Sequence, residues 1–151
     1  MDGAITGLEQ SLGLARAWDI AVWVPIVSAE LGGACVLAGR LPEAIRLLEE
    51  ALITPWKVDL SIWTSWLGEA HLRAGRLDEA TGLALRALEL SRAHGQRGNE
   101  AHMCRLLGEI ASRREEGAAP TDDLYRQSLT LATELGMRPL VAHCHRGLGT
   151  L

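Results

Sequence analysis

Histidine and cysteine side chains cluster near the end of the chain, and metal centres and nucleophilic sites are built from these residue types. His143 and His145 flank Cys144. Side chains two positions apart on a helix point about 200° away from each other, so these two histidines cannot bind one metal ion together. No second pair of ligands has a spacing typical of a metal site. The sequence therefore predicts neither a metal site nor a cofactor.

The cysteines offer a second kind of chemistry, as thiol nucleophiles. Cys35, Cys104 and Cys144 are odd in number and far apart in sequence, which indicates reduced, buried thiols rather than a disulfide framework. A histidine on a neighbouring helix could pair with Cys104 or Cys144, but no loop signature or oxyanion arrangement accompanies them. Gly147 and Gly149 resemble a fragment of a phosphate-binding loop, but they follow no strand. We therefore expect a protein that is not an enzyme.

The composition is that of a folded protein, with 48% hydrophobic and 23% charged residues in a chain of 151. The net charge of −4 gives no reason to expect nucleic acid or an anionic membrane as a partner, since both attract concentrated positive charge. The longest uncharged candidate for a membrane span, Ile20–Ala29, has ten residues, whereas a bilayer needs about 20. The opening MDGAITGLEQ lacks the pattern of a secretory signal. Together with reduced cysteines, these features predict a cytoplasmic protein.

One fourteen-residue stretch occurs twice in the first half of the chain. LGGACVLAGRLPEA at 31–44 and LGEAHLRAGRLDEA at 67–80 agree at nine of fourteen positions. The Leu-Gly pair that opens each copy recurs at Leu107 and Leu148, which gives spacings of 36, 40 and 41 residues. Such a period indicates stacked structural repeats. Small residues at the repeated positions predict that antiparallel helices approach closely, with leucines filling the flanking holes.

The elements that carry these repeats are predicted to be helices, because apolar residues recur at offsets of three and four. Gly39 and Gly75 lie in identical Ala-Gly-Arg-Leu turns, where a left-handed glycine can end one helix before the next begins. Pro25 and Pro139 are expected to open helices, and segment 115–120, EEGAAP, is expected to be a loop. The predicted helices span residues 4–17, 25–38, 42–53, 60–74, 78–93, 98–115, 121–135 and 139–150.

The Leu-Gly pair, the alanine twelve residues later and the repeat period resemble the tetratricopeptide repeat. The resemblance covers nearly the whole chain and implies an all-α fold, a right-handed α-solenoid of antiparallel helix pairs. It implies one repeat domain over residues 1–151, with a half-repeat at 1–24, repeats at about 25–60, 61–97 and 98–138, and a terminal half-repeat at 139–151. Where the family often has a large apolar residue early in each repeat, this chain has Ser28, Thr64, Cys104 and His145.

A narrower resemblance links the chain to the C-terminal repeat tails of large bacterial regulatory proteins, in which a nucleotide-cyclase-like and an ATPase-like domain precede the repeats. It is carried by ARAWDIAVWVP at 15–25, the stretch at 67–80, LLGEIASR at 106–113 and YRQSLTLATELGMRPLVAHCHRGLG at 125–149. The chain has neither a GxxxxGK[ST] loop nor a catalytic metal-aspartate pattern. The resemblance therefore implies only the repeat role, as a scaffold or binding module in signalling.

In tetratricopeptide repeats the first helix of each pair lines a concave groove, and this resemblance implies a polar binding surface here. Arginines at neighbouring groove positions could hold a carboxylate or an acidic peptide. The alternative is a solvated face on which arginines and glutamates four residues apart pair with each other. The predicted partner-binding residues are Trp66, Glu69, Arg73, His102, Arg105, Glu109, Arg113, His143 and Arg146.

The leading functional hypothesis is a non-catalytic scaffold module that binds a protein or peptide. A ligand-sensing regulatory tail is the alternative, and a closed pocket near Trp63, Trp66 and His102 would favour it. The five tryptophans, all in the first half, either fill the core of the first repeats or form an aromatic patch for a partner. The first and last predicted helices have no mates, so we expect either a piece of a longer array or a homo-oligomer that assembles through its ends.

Overall fold

The computed structural model describes residues 2–53, 60–114 and 118–149, and all regular structure within these ranges is α-helical. The chain divides into two compact units, residues 1–76 and 77–151, with four helices each in the described ranges. Each predicted helix boundary lies within three residues of an observed one, which confirms the all-α expectation. The helices are α1 (Asp2–Ala17), α2 (Trp23–Ala38), α3 (Leu41–Leu52), α4 (Leu60–Arg73), α5 (Leu77–Ala93), α6 (Arg97–Arg113), α7 (Ala118–Glu134) and α8 (Arg138–Gly149).

The first unit is organised around α2, which packs against α1, α3 and α4. Helix α2 carries no basic residue and only one acidic one, as suits a helix with neighbours on three sides. Helix α1 contributes a narrower apolar face, on which Ile5 and Leu12 are buried. Arg16 of α1 pairs with Glu50 of α3 at 2.6 Å, but both side chains are more than a third exposed, so apolar burial is the larger contribution to stability.

The second unit has the same arrangement around α6, which packs against α5, α7 and α8. A row of hydrogen-bonding groups crosses the core of this unit. The Ser128 hydroxyl of α7 donates a 2.7 Å hydrogen bond to the Ala101 carbonyl of α6, and the Cys144 thiol of α8 lies 3.2 Å from that hydroxyl. Apolar side chains surround these groups, so these hydrogen-bonding contacts join three helices at a site shielded from bulk solvent. Helices α6 and α7 are further tied at the surface by the ion pair of Arg97 with Glu134.

Several helices end at a glycine whose backbone has the left-handed conformation, with positive φ. Gly39 and Gly75 have φ of 77°, which confirms the turns predicted at these positions. At Gly39 the backbone forms the paired hydrogen bonds of a Schellman motif, from Arg40 N to Cys35 O and from Gly39 N to Val36 O. Gly95 and Gly136 end α5 and α7 in the same way, although they lie outside the duplicated stretch.

Each proline among the described residues lies inside the first turn of a helix. Pro120 is the third residue of α7, so the expectation that segment 115–120 is wholly a loop was wrong for its last three residues. Pro25 is likewise the third residue of α2, and Pro139 is the second of α8. The first four N–H groups of a helix have no acceptor within it, so a proline costs no hydrogen bond at any of these positions. Pro55 lies outside the described residues.

Small residues at the repeated positions do lie where helices meet. A Cβ atom on Gly32 would approach Cγ of Leu48 to 2.7 Å, so α2 and α3 could not pack at this distance with any other residue there. Ala44 and Ala80, which end the two copies of the duplicated stretch, are completely buried. Gly149, in the last Leu-Gly pair, has no heavy atom within 4 Å of its Cβ position among the described neighbours, so it serves no close packing there. None of the helices in the described ranges combines the length and apolar character that a membrane span requires.

Candidate functional site

The nine predicted site residues divide between the two units. Trp66, Glu69 and Arg73 lie on α4 of the first unit. The remaining six lie on α6 and α8 of the second unit, and the two sets are therefore described separately.

Arg73 in the first unit has a structural task. Its Nη1 donates a 2.9 Å hydrogen bond to the carbonyl of Val36, in the last turn of α2, and its Nε lies 3.1 Å from Oε1 of Glu69. A cation at the carboxyl end of a helix satisfies an end carbonyl and is attracted by the helix dipole. Arg73 thus fastens α4 to the end of α2, and the Glu69 carboxylate holds its guanidinium in place.

Trp66 packs inside the first unit against Gly33 of α2. A Cβ atom on Gly33 would lie 2.9 Å from Cε3 of the indole, so the absence of a side chain is what admits the ring. Trp63 is 2% exposed and fills the core, whereas Trp18 and Trp23, beside the turn between α1 and α2, are 72% and 53% exposed. Trp63 therefore has the core role considered from the sequence, Trp18 and Trp23 are exposed, and Trp56 lies outside the described residues.

A cleft of about 260 Å³ lies among α6, α7 and α8 of the second unit. We call it the α6–α8 cleft. It brings together five of the predicted site residues, and His102 lies exposed on α6 without lining it. The residues lining the cleft are Arg105, Glu109, Ser112, Arg113, Tyr125, His143, Arg146 and Gly147.

Glu109 organises the cations of the α6 wall. Its Oε2 lies 2.8 Å from Nη1 of Arg105, and its Oε1 lies 3.0 Å from Nη2 of Arg113. The three residues are spaced by four, which places them on one stripe of the helix. These contacts are the internal Arg–Glu pairs of the solvated-face alternative. In this cleft, however, the pair of Arg105 with Glu109 is partly screened from water, because the Arg105 side chain is only 17% exposed.

The opposite wall, on α8, contributes one more arginine and an imidazole. Arg146 and His143 lie three residues apart on α8 and line the cleft together. Within the described part of the chain, Arg146 has no acidic partner. The lining residues that the structure describes include three arginines and one glutamate.

Tyr125 closes the floor of the cleft, and two glycines make room for its ring. A Cβ on Gly108 of α6 would lie 3.2 Å from Cδ2 of the ring, and one on Gly147 of α8 would lie 2.5 Å from Cε1. The residue is 6% exposed. Burial raises the pKa of the phenol, and the Glu109 charge raises it further while Arg105 opposes the rise, so the hydroxyl is protonated at neutral pH.

Comparison with protein-family models and with curated proteins finds no match to this chain. The function must therefore be argued from the site alone. The arrangement can attract and hold an anion, because guanidinium groups present several N–H donors in a plane that fits carboxylate or phosphate oxygens.

The thiols and histidines do not form a comparable site. All three cysteines are free and buried, as expected from the sequence. Burial raises the pKa of the Cys104 thiol, which disfavours the reactive thiolate. His143 and His145 are exposed on α8, on either side of the buried Cys144. Among the described residues, no three His, Cys, Asp or Glu side chains are grouped as a metal ion would require.

Ser112, Tyr125 and Gly147 are the lining residues that the groove positions did not predict. Tyr125 occupies a position in α7 where the earlier repeats have Leu48 and Ala84, so its alignment indicated a packing residue. The only features of the sequence that could have indicated this part of the cleft were Tyr125, which is the only tyrosine in the chain, and Gly147, which follows Cys144 by three residues.

Proposed function

We propose that this chain is a non-catalytic binding module and that the α6–α8 cleft holds an acidic residue of a protein or peptide partner. The observation that carries the proposal is the convergence of Arg105, Arg113 and Arg146 on one partly enclosed cleft, in which Arg146 has no acidic partner among the described residues. The cleft lies among helices of one compact unit, so binding there requires little ordering of the chain. The other residues of the unit supply the packing that holds these groups in place.

We also propose that the helices form a right-handed solenoid. A right-handed solenoid of tetratricopeptide type is supported by the recurrence of the Leu-Gly pair and by the matching arrangement of the two units. In each unit the second helix packs against the other three, and the third packs against the fourth. Such repetition is what stacked helix pairs require.

Binding is tested by fluorescence anisotropy with a labelled glutamate-rich peptide and a matched peptide in which glutamine replaces each glutamate. We expect the acidic peptide alone to bind. Arg146→Glu is expected to weaken binding about tenfold or more, because a charge-assisted hydrogen bond contributes about 1.5–3 kcal/mol. The matched control is Arg86→Glu, the same change of charge at an exposed position of α5 in the same unit.

The control separates a specific cleft from bulk electrostatics. Equal weakening by Arg86→Glu and Arg146→Glu would show that only the overall charge matters. Equal binding of the acidic and glutamine peptides would show that the cleft does not recognise negative charge. Either result would contradict the proposal, provided that circular dichroism shows both variants folded.

A further inference from the structure

We propose that the turn between α1 and α2 docks a short amphipathic segment of a partner protein, one that carries a basic residue beside its apolar face. This inference concerns the first unit and does not depend on the proposed function. We call the surface the α1–α2 patch. Its members are large apolar residues that are between 36% and 72% exposed: Leu14, Trp18, Ile20, Val22 and Trp23.

The exposed apolar residues of the patch are concentrated in one short stretch of the chain. Every residue of 17–23 is exposed, and four of them are large and apolar. Trp18 N lies 3.0 Å from Leu14 O, so Leu14 and Trp18 stand one above the other at the end of α1. Exposed apolar residues that are scattered singly are normal, but a group of this kind marks an interaction site.

Backbone hydrogen bonds fix the shape of the patch. Ile20 N lies 2.9 Å from Ala15 O in the last turn of α1, and Trp23 N, at the start of α2, lies 2.9 Å from Ile20 O. A bonded backbone has few conformations to lose, so docking at the turn requires little ordering of the chain.

The unpaired charge of the patch is negative. The Asp19 carboxylate has no cationic partner among the described residues, and neither does exposed Glu49 in the last turn of α3. The nearby cations are already held, because Glu50 lies 2.6 Å from Arg16 and 3.4 Å from Arg46. A partner that brings a lysine or an arginine therefore complements this surface.

The two exposed indoles favour the same partner. Tryptophan is among the residues that contribute most to binding when it is covered at an interface. The faces of the indole rings also attract positive charge, so Trp18 and Trp23 suit a lysine or arginine as well as an apolar side chain. An amphipathic segment offers both kinds of group on neighbouring positions.

The size and charge of the patch disfavour other occupants. An aromatic side chain has about 150–250 Å² to bury, so the two indoles, 72% and 53% exposed, present roughly 190–310 Å². A stable interface between folded proteins buries about 800 Å² on each partner, which is more than the patch offers to a second copy of the chain. A second copy would also bring another Asp19 to the same surface, and an anionic membrane would repel that carboxylate.

The test is fluorescence anisotropy of the full chain with three labelled, amidated peptides. The first has leucines at helical spacing with lysines between them, the second has glutamine in place of each lysine, and the third has serine in place of each leucine. We expect the lysine–leucine peptide to bind most tightly and the serine peptide not to bind. Trp18→Ala and Trp23→Ala should each weaken binding of the lysine–leucine peptide about tenfold or more. The matched control is Leu85→Ala, at an exposed apolar position of α5, which should leave binding unchanged.

Asp19→Asn tests the charge without disturbing the turn. Residue 19 has a φ of 52°, and asparagine adopts this left-handed conformation as aspartate does. The variant should bind the lysine–leucine peptide only as tightly as it binds the glutamine peptide. The control Asp123→Asn, at an exposed position of α7, should change neither affinity. Equal binding of the lysine–leucine peptide by the parent chain and by Asp19→Asn would overturn the requirement for a basic partner.

Three further results would each overturn the inference. One is undiminished binding of the lysine–leucine peptide by both tryptophan variants, with thermal melts showing that they are folded. Another is dimerisation in sedimentation velocity that Trp18→Ala abolishes, which would make a second copy the occupant. The third is co-sedimentation of the chain with phosphatidylcholine vesicles that Trp18→Ala abolishes. Because the three peptides carry no acidic residue, none of these results bears on the acidic ligand proposed for the α6–α8 cleft.

Discussion

Gly147 of α8 lies directly against the aromatic ring of Tyr125 of α7. A Cβ atom at position 147 would lie 2.5 Å from Cε1 and 2.9 Å from Cε2, closer than real Cβ contacts. The ring is 6% exposed, and on its other side Gly108 of α6 gives it similar room. Three helices therefore meet around one ring because two of them present a glycine to it, and the same ring forms part of the α6–α8 cleft.

Gly147→Ala should destabilise the protein and deform the cleft. The added methyl group must push the ring or shift α8, and overpacking of this kind costs about 1–3 kcal/mol. The control is Gly82→Ala on α5, where a Cβ meets no heavy atom within 4 Å. That substitution should instead stabilise by about 0.5–1 kcal/mol, because alanine is the better helix former. Urea denaturation of both variants measures the difference, and equal effects would contradict the packing described.

Two fully buried serines should respond to alanine substitution with opposite signs. Ser28 is 0% exposed, and its hydroxyl has no hydrogen-bond partner among the described residues. Ser128, equally buried, donates to the Ala101 carbonyl and lies within hydrogen-bonding distance of the Cys144 thiol. Ser28→Ala should raise the free energy of unfolding by up to about 1 kcal/mol, because the buried hydroxyl is desolvated without compensation. Ser128→Ala should lower it by about 1 kcal/mol.

Both serines lie inside helices, so the change in helix propensity is the same for the two substitutions. The difference between them therefore isolates the hydrogen bonds. Chemical denaturation followed by circular dichroism gives both values. A loss of stability in Ser28→Ala equal to that in Ser128→Ala would mean that Ser28 has a bonding role in the folded chain.

The helices could be predicted closely because their signals are local. Apolar spacing, the glycines at 39 and 75 and the acids of the first turns all act within a few residues of where they stand. The start of α7 was missed because a proline permits a helix start at any position of its first turn, so Pro120 alone does not set where α7 begins. The ends of α5 and α7 were predicted to within one residue, but the left-handed Gly95 and Gly136 that form them were not singled out, because they lie in no repeated motif.

The candidate site could be predicted only in part, because it combines local and long-range features. The stripe of Arg105, Glu109 and Arg113 follows from helical spacing alone. The bond from Arg73 to the Val36 carbonyl joins residues 37 apart in sequence, and no local pattern shows it. The ring of Tyr125 fits where it does because Gly108 of α6 and Gly147 of α8 leave room for it. Such contacts arise from tertiary packing, which the spacing of one helix does not determine.

Asp19 should be a site where glycine stabilises the protein. It ends α1 with a φ of 52°, a left-handed conformation that side chains with a Cβ rarely adopt. Ile20 N and Asp19 N bond to Ala15 O and Arg16 O, so the turn matches the one at Gly39. Asp19→Gly should raise the free energy of unfolding by up to about 1 kcal/mol, and the mirror change Gly39→Asp should lower it by about 1 kcal/mol. Thermal denaturation of the pair measures both, and a loss of stability in Asp19→Gly would contradict the interpretation.

The stability of the protein should fall in two stages as pH rises above neutral. Burial raises the pKa values of the Cys104 thiol and the Tyr125 phenol in the folded state. A group with a raised folded pKa gives its full stabilisation below its unfolded pKa and loses it as pH rises towards the folded value. The unfolded pKa is about 8.5 for cysteine and about 10 for tyrosine. The first stage, in which the cysteine loses its proton, therefore precedes the second stage, in which the tyrosine does so from near pH 10.

Tyr125→Phe should remove the tyrosine part of the second stage and leave the first unchanged, because phenylalanine has no proton to lose. The free energy of unfolding, measured by urea denaturation at intervals from pH 7 to 11, should therefore fall less steeply above pH 10 in the variant than in the parent chain. Groups that titrate in both proteins cancel in this comparison. Identical slopes above pH 10 would mean that the folded chain does not hold the phenol in its protonated form, and that the ring is less enclosed by Gly108 and Gly147 than their spacing requires.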